Sequence, residues 1–478
     1  MQGKVIGILL LIKKYDKPDI TYSIDYMKMF GTNGIRGVAN DYLECNRLIK
    51  IGRSIATVLG PGPIAIAMDT RTSSDMIRSA VSAGIMSMGC DIRRLGVIPT
   101  PALQYYVKTH KDVSGGVMIT ASHNPPEFNG VKCVSKDGTE CSPDEERAIE
   151  DAFDKDLKTV SWERIGSETM IADAGEDYID SIIDKIDTDL IKRAKLTVCI
   201  DCSNGAAYET TPLLLKRLGV KTLSINTSPD GMFPGHFSEP IESNLSELKA
   251  LVIRSGADLG AAHDGDADRC VFITDKGRYL TGDVSLALLS KNAVTTNKSK
   301  KVVTTVATSS MISDVVKKTG GETELTAVGS PIVARKMMEN GGIIGGEDNG
   351  GIIFADHQYC RDGAMAIVRM IEMIAKYGSL EEQVNELPVY YTIKHVLNCE
   401  DIFKEEILHQ IKDNHKKENI NTIDGVRIDY GDGWVIMRPS GTEPKFRITS
   451  ESYDQIVARK RADKFKKEFE SIYGKLRR

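Results

Sequence analysis

Short apolar runs alternate with amphipathic stretches along the chain from about Met27 onward. A run over 63–68 predicts a strand, and apolar positions at helical spacing over 74–88 predict a helix after it. Further runs predict strands over 92–98 and 116–120, with a helix over 102–109 between them. This alternation of strand and helix is typical of α/β domains.

The same alternation begins twice more. It restarts at 196–200 and ends at 257–262, and it restarts again at 301–306 and closes near Phe354. Strands that alternate with helices indicate parallel-type sheets covered on both faces. Three similar blocks therefore predict three α/β domains of related topology.

The last block has a different pattern. From about Val389 a helix rich in Lys and Glu precedes short predicted strands at 422–428, 434–437 and 446–449, and a final helix covers 453–473. This pattern predicts a smaller α+β domain. The complete predicted division is an N-terminal extension at 1–26, three α/β domains at 27–168, 169–272 and 273–388, and an α+β domain at 389–478.

Composition excludes several classes of protein. The chain has 478 residues, and its 62 basic and 67 acidic side chains give a net charge of −5, which offers no broad footprint for nucleic acid. Nine Cys without regular spacing argue against a secreted disulfide framework. The longest apolar run, 5–12, is far shorter than the roughly 20 residues that cross a bilayer. We therefore expect a cytoplasmic protein with no membrane or nucleic-acid partner. The sequence does not determine its oligomeric state.

The strongest local signal is a run of three carboxylates, Asp264, Asp266 and Asp268, directly after the strand predicted to end at Ala262. In an extended loop alternate side chains face one way, so the three can converge on one cation. Ligation by oxygen alone selects a hard ion such as Mg²⁺ or Mn²⁺. An EF-hand is excluded because Arg269 stands where that loop needs Gly. The alternative interpretation is a solvated acidic turn.

Two other polar segments could handle phosphate. Ser122 and His123 follow the strand at 116–120, so Ser122 could be a held nucleophile, although a polar turn is the simpler interpretation and no GxSxG elbow is present. The segment 438–445 offers a guanidinium, two hydroxyls and a flexible Gly, which can surround a phosphate. A type I or II turn is the alternative there.

Two Gly-dense segments complete the set. The segment 31–37 carries Arg36 in a flexible backbone, and the segment 345–351 carries Glu347 and Asn349, a carboxylate and an amide suited to sugar hydroxyls. Each segment taken singly is most simply a turn.

Together these segments resemble, in the order of the motifs and in their amino-acid sequences, those of the α-D-phosphohexomutase superfamily, which includes phosphoglucomutases, phosphomannomutases and phosphoglucosamine mutases. The resemblance runs from about Met29 to the C-terminus, and the segments 30–37, 262–266 and 357–363 are most similar to archaeal phosphoglucosamine mutases. It implies four domains around a central cleft: three similar α/β domains that carry a phosphoserine loop, a metal-binding loop and a sugar-binding loop, and a C-terminal domain with a phosphate-binding loop.

The resemblance also implies a role for each matching residue. Ser122 would carry the transferable phosphoryl group, whose oxygen would complete a single Mg²⁺ site with the three aspartates. Arg269 would face that group, while Arg36, His123 and Lys132 would serve acid–base work and charge stabilisation. The residues implied to contact the substrate are Glu347, Asn349, Arg438, Ser440, Gly441 and Thr442.

The implied reaction interconverts glucosamine 6-phosphate and glucosamine 1-phosphate through a 1,6-bisphosphate, which also serves as activator. Glucose or mannose phosphates are the alternative substrates, since many bacterial members have Ser where this chain has Asn349. Two other hypotheses stay open, a Mg²⁺-dependent phosphatase that uses a serine phosphoenzyme and a sugar-phosphate sensor without activity. A dinucleotide-dependent enzyme is excluded because no GxGxxG follows a strand.

Overall fold

The computed structural model describes residues 29–31, 34–441 and 443–477. The predicted extension at 1–26 lies outside the described residues. The described chain forms four sheets, three of them flanked by helices in mixed α/β arrangements and the fourth a C-terminal antiparallel sheet with two long helices. The predicted fold class is confirmed.

The first sheet has six strands and carries the segment with Ser122. The elements of this region are β1 (Ile35–Val38), α1 (Cys45–Leu59), β2 (Ile64–Met68), α2 (Ser74–Ser87), β3 (Ile92–Val97), α3 (Thr100–Thr109), β4 (Gly115–Ile119), β5 (Phe128–Val134), α4 (Pro143–Phe153) and β6 (Glu168–Met170). The strand order is β1-β5-β4-β2-β3-β6, and every residue of β4 is buried.

The second sheet has five strands and carries the three aspartates. The elements of this region are α5 (Ala174–Ile183), α6 (Thr188–Ala194), β7 (Thr197–Asp201), α7 (Thr210–Arg217), β8 (Lys221–Ile225), α8 (Ser246–Ser255), β9 (Leu259–His263), β10 (Cys270–Thr274) and β11 (Tyr279–Leu280). The strand order is β11-β10-β9-β7-β8, and β9 and β10 are buried along their whole length.

The third sheet carries the segment with Glu347. The elements of this region are α9 (Gly282–Thr296), β12 (Lys301–Thr305), α10 (Ser310–Lys318), β13 (Glu322–Thr326), α11 (Ser330–Asn340), β14 (Ile344–Gly346), β15 (Ile352–Phe354), β16 (Gln358–Arg361), α12 (Gly363–Tyr377) and α13 (Leu380–Asn385). The strand order is β13-β12-β14-β15-β16.

The fourth sheet is antiparallel throughout and carries the segment with Arg438. The elements of this region are β17 (Tyr391–Asn398), α14 (Asp401–His415), β18 (Ile420–Asn421), β19 (Val426–Tyr430), β20 (Gly433–Pro439), β21 (Lys445–Ser452) and α15 (Gln455–Leu476). The order is β17-β21-β20-β19-β18. The prediction of a helix from about Val389 is wrong for 391–398, which form the strand β17, because exposed positions along this edge strand leave no apolar run; the helix α14 begins at Asp401.

The first three sheets share one plan. In each, a set of parallel strands, four in the first sheet and three in the other two, is extended at one side by an antiparallel hairpin: β4 with β5, β9 with β10, and β14 with β15. The expectation of parallel-type sheets is therefore wrong for these hairpins, because tight turns connect successive strands that a helical crossover would otherwise make parallel. The related topology of the three blocks is as predicted.

The exact domain limits at 168, 272 and 388 stay a prediction. The short strand β6 pairs with β3 of the first sheet, and β11 pairs with β10 of the second. In the part of the chain that the structure describes, no helix is long and apolar enough to cross a membrane.

Candidate active site

Ser122 lies in the hairpin loop between β4 and β5, at the end of a fully buried strand. Its backbone is left-handed, with φ of 53°, a conformation that a residue with a side chain adopts only under local constraint. The side chain is buried, and its Oγ donates a hydrogen bond of 2.7 Å to Oδ2 of Asp264. The ring Nδ1 of His123 lies 3.3 Å from the same Oγ. The hydroxyl thus faces the acidic loop of the next domain.

The three aspartates lie in the equivalent hairpin loop between β9 and β10. The turn is closed by hydrogen bonds from the N–H of Ala267 to the carbonyl of Asp264, and from the N–H of Arg269 to Oδ1 of Asp264. All three carboxylates are buried, and one oxygen from each lies within 4.8 Å of the others. The predicted convergence of the three side chains is confirmed.

The carboxylates of Asp266 and Asp268 each have one oxygen, Oδ2, that contacts groups from other elements. Lys132 of β5 places its Nζ 2.6 Å from Oδ2 of Asp266 and 3.1 Å from Oδ2 of Asp268. Thr100 donates to Oδ2 of Asp266 at 2.7 Å, and Arg361 of β16 contacts Oδ2 of Asp268 at 2.5 Å. The loop is therefore tied to the first and third sheets as well as to its own.

Burial and mutual repulsion set the ionisation of this group. Burial and the charges of Asp268 and Asp266 raise the pKa of Asp264 to about 8. Burial would also raise the pKa of Asp266, but the Lys132 ammonium and the hydrogen bonds from Lys132 and Thr100 bring it below its ordinary value. The mutual repulsion therefore falls on Asp264, whose carboxyl favours the protonated form near neutral pH, while Asp266 stays ionised.

The residues present fit a hard divalent cation. In the described chain, Oδ1 of Asp266 and Oδ1 of Asp268 are buried and have no hydrogen-bond partner, while their Oδ2 atoms are tied back as described above. Buried carboxylate oxygens without a partner are costly unless a cation joins them. Three converging carboxylates of this kind are the ligand set that Mg²⁺ or Mn²⁺ takes.

Two arginines contact groups that lie next to Ser122. The Nε of Arg269 lies 3.8 Å from Oδ2 of Asp264, and Arg36 donates from NH1 to Oδ1 of Asn124 at 2.8 Å. The Nε atoms of both arginines are buried without a hydrogen-bond partner in the described residues. Unused guanidinium donors beside a hydroxyl suit an anionic group attached to that hydroxyl.

The imidazole of His123 also lies within the electrostatic influence of these two arginines. Burial, together with the positive charges of Arg269 and Arg36, lowers the pKa of His123 to about 2. The imidazole is therefore neutral at physiological pH, and the same burial and positive charges oppose its protonation.

The segment with Glu347 forms the hairpin turn between β14 and β15. Glu347 is buried, its Oε1 accepts from the N–H of Gly329 at 3.0 Å, and its Oε2 lies 3.9 Å from Arg361. Burial raises the pKa of this carboxyl. Asn349 uses its Oδ1 to accept the N–H of Gly351 at 3.0 Å, so its amide group shapes the turn.

The phosphate-loop segment forms the hairpin turn between β20 and β21. Arg438 pairs with Oδ2 of Asp424 at 3.2 Å, and the same oxygen accepts the N–H of Val328 at 3.0 Å. Ser440 Oγ accepts the N–H of Glu443, and Gly441 is exposed. Thr442 lies outside the described residues.

The structure thus brings together one dense cluster and two flanking loops. The residues joined by direct contacts or shared charges around the acidic loop are Arg36, Ser122, His123, Lys132, Asp264, Asp266, Asp268 and Arg269. Glu347 reaches this cluster through Arg361, and Arg438 is connected to the Glu347 loop through Asp424 and the backbone at 328–329.

Sequence reasoning missed several of the contacting residues. Thr100, Arg361 and Asp424 each touch the side chain of a site residue from another part of the chain. The only available signal was for Arg361, which stands in the segment 357–363 that carries part of the family resemblance.

Comparison with known proteins places the chain in a family. Successive stretches match the family descriptions of phosphoglucomutase/phosphomannomutase: alpha/beta/alpha domain I over residues 27–159, domain II over 176–277, domain III over 281–391, and the C-terminal domain over 396–468. A protein of Thermococcus kodakarensis named phosphoglucomutase/phosphomannomutase is 40% identical over 441 residues, which span 90% of this chain and 96% of the relative. The chain belongs to the phosphoglucomutase/phosphomannomutase family.

Other members of this family are similarly related. A probable phosphoglucosamine mutase of Methanopyrus kandleri is 39% identical over 92% of this chain and 97% of its own length. A crystal structure of a phosphoglucomutase/phosphomannomutase family protein from Burkholderia thailandensis superimposes with a TM-score of 0.83 at 25% identity, and covers 93% of this chain and 97% of that one. The predicted superfamily membership is confirmed.

In this member of the phosphoglucomutase/phosphomannomutase family, the buried carboxylates of the acidic loop should depend on the Lys132 ammonium for stability. Lys132→Met removes an ammonium that is 2% exposed and leaves the buried carboxylate of Asp266 without its paired cation, while Asp268 keeps Arg361. We expect the free energy of unfolding, measured by urea denaturation without divalent cations, to fall by about 3–5 kcal/mol.

The matched control is Lys276→Met, whose ammonium is 72% exposed and lies 3.1 Å from Asp275. We expect that change to alter the free energy of unfolding by less than about 1 kcal/mol. Equal stabilities for Lys132→Met and the unaltered protein would show that the acidic loop does not depend on this ammonium.

Proposed function

We propose that this protein is a phosphoglucosamine mutase, an isomerase that interconverts glucosamine 6-phosphate and glucosamine 1-phosphate through a phosphoserine at Ser122. The observation that carries the proposal is the Ser122 hydroxyl, which lies 2.7 Å from a carboxylate of the acidic loop and 3.3 Å from a neutral imidazole. The family supports a phosphohexomutase, and the names of several relatives support the amino sugar.

The first transfer moves a phosphoryl group from Ser122 to the free hydroxyl of a sugar monophosphate. The bond between phosphorus and the serine oxygen breaks, a bond to the sugar oxygen forms, the sugar hydroxyl loses its proton and the serine oxygen gains one. His123, whose Nδ1 lies 3.3 Å from the Ser122 oxygen, would take part in this proton transfer, while Arg36 and Arg269 offer guanidinium donors to the phosphoryl oxygens. The product is a bound 1,6-bisphosphate.

Asp264, Asp266 and Asp268 would hold one Mg²⁺ per subunit together with a phosphoryl oxygen on Ser122. When bound, the ion would supply positive charge against the developing negative charge of the transferred group. Lys132 and Arg361 keep two of the three carboxylates oriented by contacts to their Oδ2 atoms. The chain's own cations therefore prepare the ligand set.

The bisphosphate then reverses its orientation and returns its other phosphate to Ser122. The phosphate-binding loop must accept either orientation of the sugar, so it has to recognise the phosphate more than the ring. Arg438, Ser440, Gly441 and Thr442 would bind the phosphate that is not reacting, and Glu347 with Asn349 would bind sugar hydroxyls. Asp424 holds the Arg438 guanidinium in place between these two loops.

The alternative substrates are glucose and mannose phosphates. The relative from Thermococcus kodakarensis, which carries the name phosphoglucomutase/phosphomannomutase, favours this second candidate. Glucose differs from glucosamine in the group at carbon 2, and mannose differs also in the configuration there, so a direct comparison of the three substrates is required.

The reaction and the preferred sugar can be tested in one measurement. Purified protein with Mg²⁺ and catalytic glucose 1,6-bisphosphate is supplied in turn with glucosamine 6-phosphate, glucose 6-phosphate and mannose 6-phosphate. Phosphorus NMR then follows the 1-phosphate, the 6-phosphate and inorganic phosphate together. We expect glucosamine phosphate to have the highest kcat/KM, by about tenfold or more.

Other outcomes have a definite meaning. A higher kcat/KM for glucose or mannose phosphate would replace the amino sugar by the alternative substrates. Inorganic phosphate as the sole product, unaffected by the bisphosphate, would indicate a phosphatase and contradict a mutase.

Ser122→Ala removes the proposed phosphoryl carrier. Because no other described hydroxyl makes the same contact with Asp264, we expect turnover to fall by about a thousandfold or more with an unchanged circular dichroism spectrum. The same NMR assay measures the change, and Ser79→Ala, an exposed hydroxyl of α2, is the control. Full activity of Ser122→Ala would refute the phosphoserine mechanism.

Arg438→Ala tests the anchoring loop. The lost charge-assisted hydrogen bonds to the non-reacting phosphate should raise KM by about 10- to 100-fold with a smaller effect on kcat. Arg459→Ala, an exposed arginine of α15, should leave both constants unchanged. Initial rates over a range of substrate concentrations give both numbers, and an unaltered KM for Arg438→Ala would remove this loop from phosphate binding.

A further inference from the structure

Arg71 is a buried arginine that none of the motifs singled out. It follows β2 in the turn after Asp69, and its side chain is 0% exposed. Its guanidinium contacts the backbone of the Ser122 loop rather than any of the aspartates at 264–268. The side chain is therefore in a position to act on the loop and not on the phosphoryl group.

All five N–H donors of the Arg71 guanidinium have an acceptor. Nε donates to Oδ2 of Asp69 at 3.1 Å. The other four bonds go to backbone carbonyls of one loop, those of Ser122 at 2.8 Å, Asn124 at 2.6 Å, Pro125 at 2.6 Å and Phe128 at 2.9 Å. Arginine is the one side chain with five donors in a fixed plane, and a lysine ammonium has only three. The loop is thus built around this particular side chain.

The N–H side of Ser122 is held by the same group of residues. The N–H of Ser122 donates to Oγ1 of Thr120 at 2.8 Å, and Thr120 donates to Oδ2 of Asp69 at 2.6 Å. Asp69 is also the partner of Arg71, so both peptide groups next to the Ser122 side chain are tied to one buried ion pair. The aromatic ring of Phe233, from the second domain, lies 4.9 Å from the guanidinium.

We propose that Arg71 is a positioning residue for phosphoryl transfer, which rests on the function proposed above. Ser122 has to gain and lose a dianionic group twice in each turnover while its oxygen stays in the same place. Its left-handed backbone, with φ of 53°, is a conformation that relaxes unless surrounding contacts impose it. The four carbonyl contacts and the Asp69–Thr120 link impose it. Arg71 therefore acts on the rate of transfer through the serine loop and not on the binding of the sugar phosphate.

The test compares Arg71→Lys and Arg71→Ala with the unaltered protein. We expect kcat to fall about 100-fold in Arg71→Ala, as for a reacting group displaced by about 1 Å, while KM for the sugar phosphate changes by less than about threefold. Arg71→Lys should retain a folded structure. Its kcat should lie between those of Arg71→Ala and the unaltered protein, because lysine keeps the charge but has too few donors for all the carbonyls. Arg93→Ala, a surface arginine paired with Asp112 in the same domain, is the matched control.

Two further readouts separate positioning from a purely structural role. Guanidinium ion added to Arg71→Ala should restore part of kcat, because the small cation fits the space that the side chain leaves, and it should restore nothing in Ser122→Ala. Each variant is also loaded from glucose 1,6-bisphosphate, and the lifetime of its phosphoserine is followed by intact mass. We expect a shorter lifetime in both Arg71 variants, since a loosened loop admits water.

The outcomes decide the proposal. A kcat within about threefold of the unaltered protein in folded Arg71→Lys and Arg71→Ala would overturn it. A loss of kcat that tracks only a lower melting temperature, with no guanidinium recovery and an unchanged phosphoserine lifetime, would also overturn it and leave Arg71 a folding role. If Arg71→Ala does not fold, the kcat and phosphoserine lifetime of Arg71→Lys decide. An inactive unaltered protein would instead count against the proposed function, since the comparison between variants would have no reference.

Discussion

The negative charges of three carboxylates buried side by side must be compensated by cations, and the domains pack against one another around those cations. One carboxylate oxygen from each of Asp264, Asp266 and Asp268 lies within 4.8 Å of the others, and burial strengthens their repulsion. Among the described residues, their own domain contributes Arg269 at 3.8 Å. The closer positive charges are Lys132 from the first sheet and Arg361 from the third. Packing between domains and preparation of the site are therefore the same set of contacts.

The loops that carry the chemistry all stand at the same kind of place. Ser122, the three aspartates, Glu347 and the segment with Arg438 each lie in a turn between two antiparallel strands. A hairpin turn holds its residues from both sides through paired strands, so a side chain in it has little freedom. In the first three sheets the hairpin extends a set of parallel strands. The same local design thus presents three different sets of side chains at the turn.

Charge is distributed differently at the two ends of the candidate site. Around Ser122, the guanidinium groups of Arg36 and Arg269 keep buried donors free of protein partners, and burial keeps His123 neutral. At the other end, Arg438 is held by Asp424, which also binds the backbone of the third domain. The first arrangement suits a group that arrives and leaves, and the second suits a fixed anchor. A substrate with a phosphate at one end and a reacting hydroxyl at the other needs both.

The amino-acid sequence by itself determined the elements and the chemistry of the loops. Apolar runs were sufficient to predict β2, β7, β12 and α2, and the spacing of the three aspartates was sufficient to predict a cluster of oxygen ligands, because these features depend on neighbours only a few residues away. Only the tertiary structure decided which cations face those carboxylates, that the hairpin partners are antiparallel, and that Arg71 supports the Ser122 loop. Lys132 is 134 residues from Asp266 in the chain, and Arg71 is 51 residues from Ser122. No periodicity or spacing spans such separations, since the contacts exist only after the sheets have formed and packed.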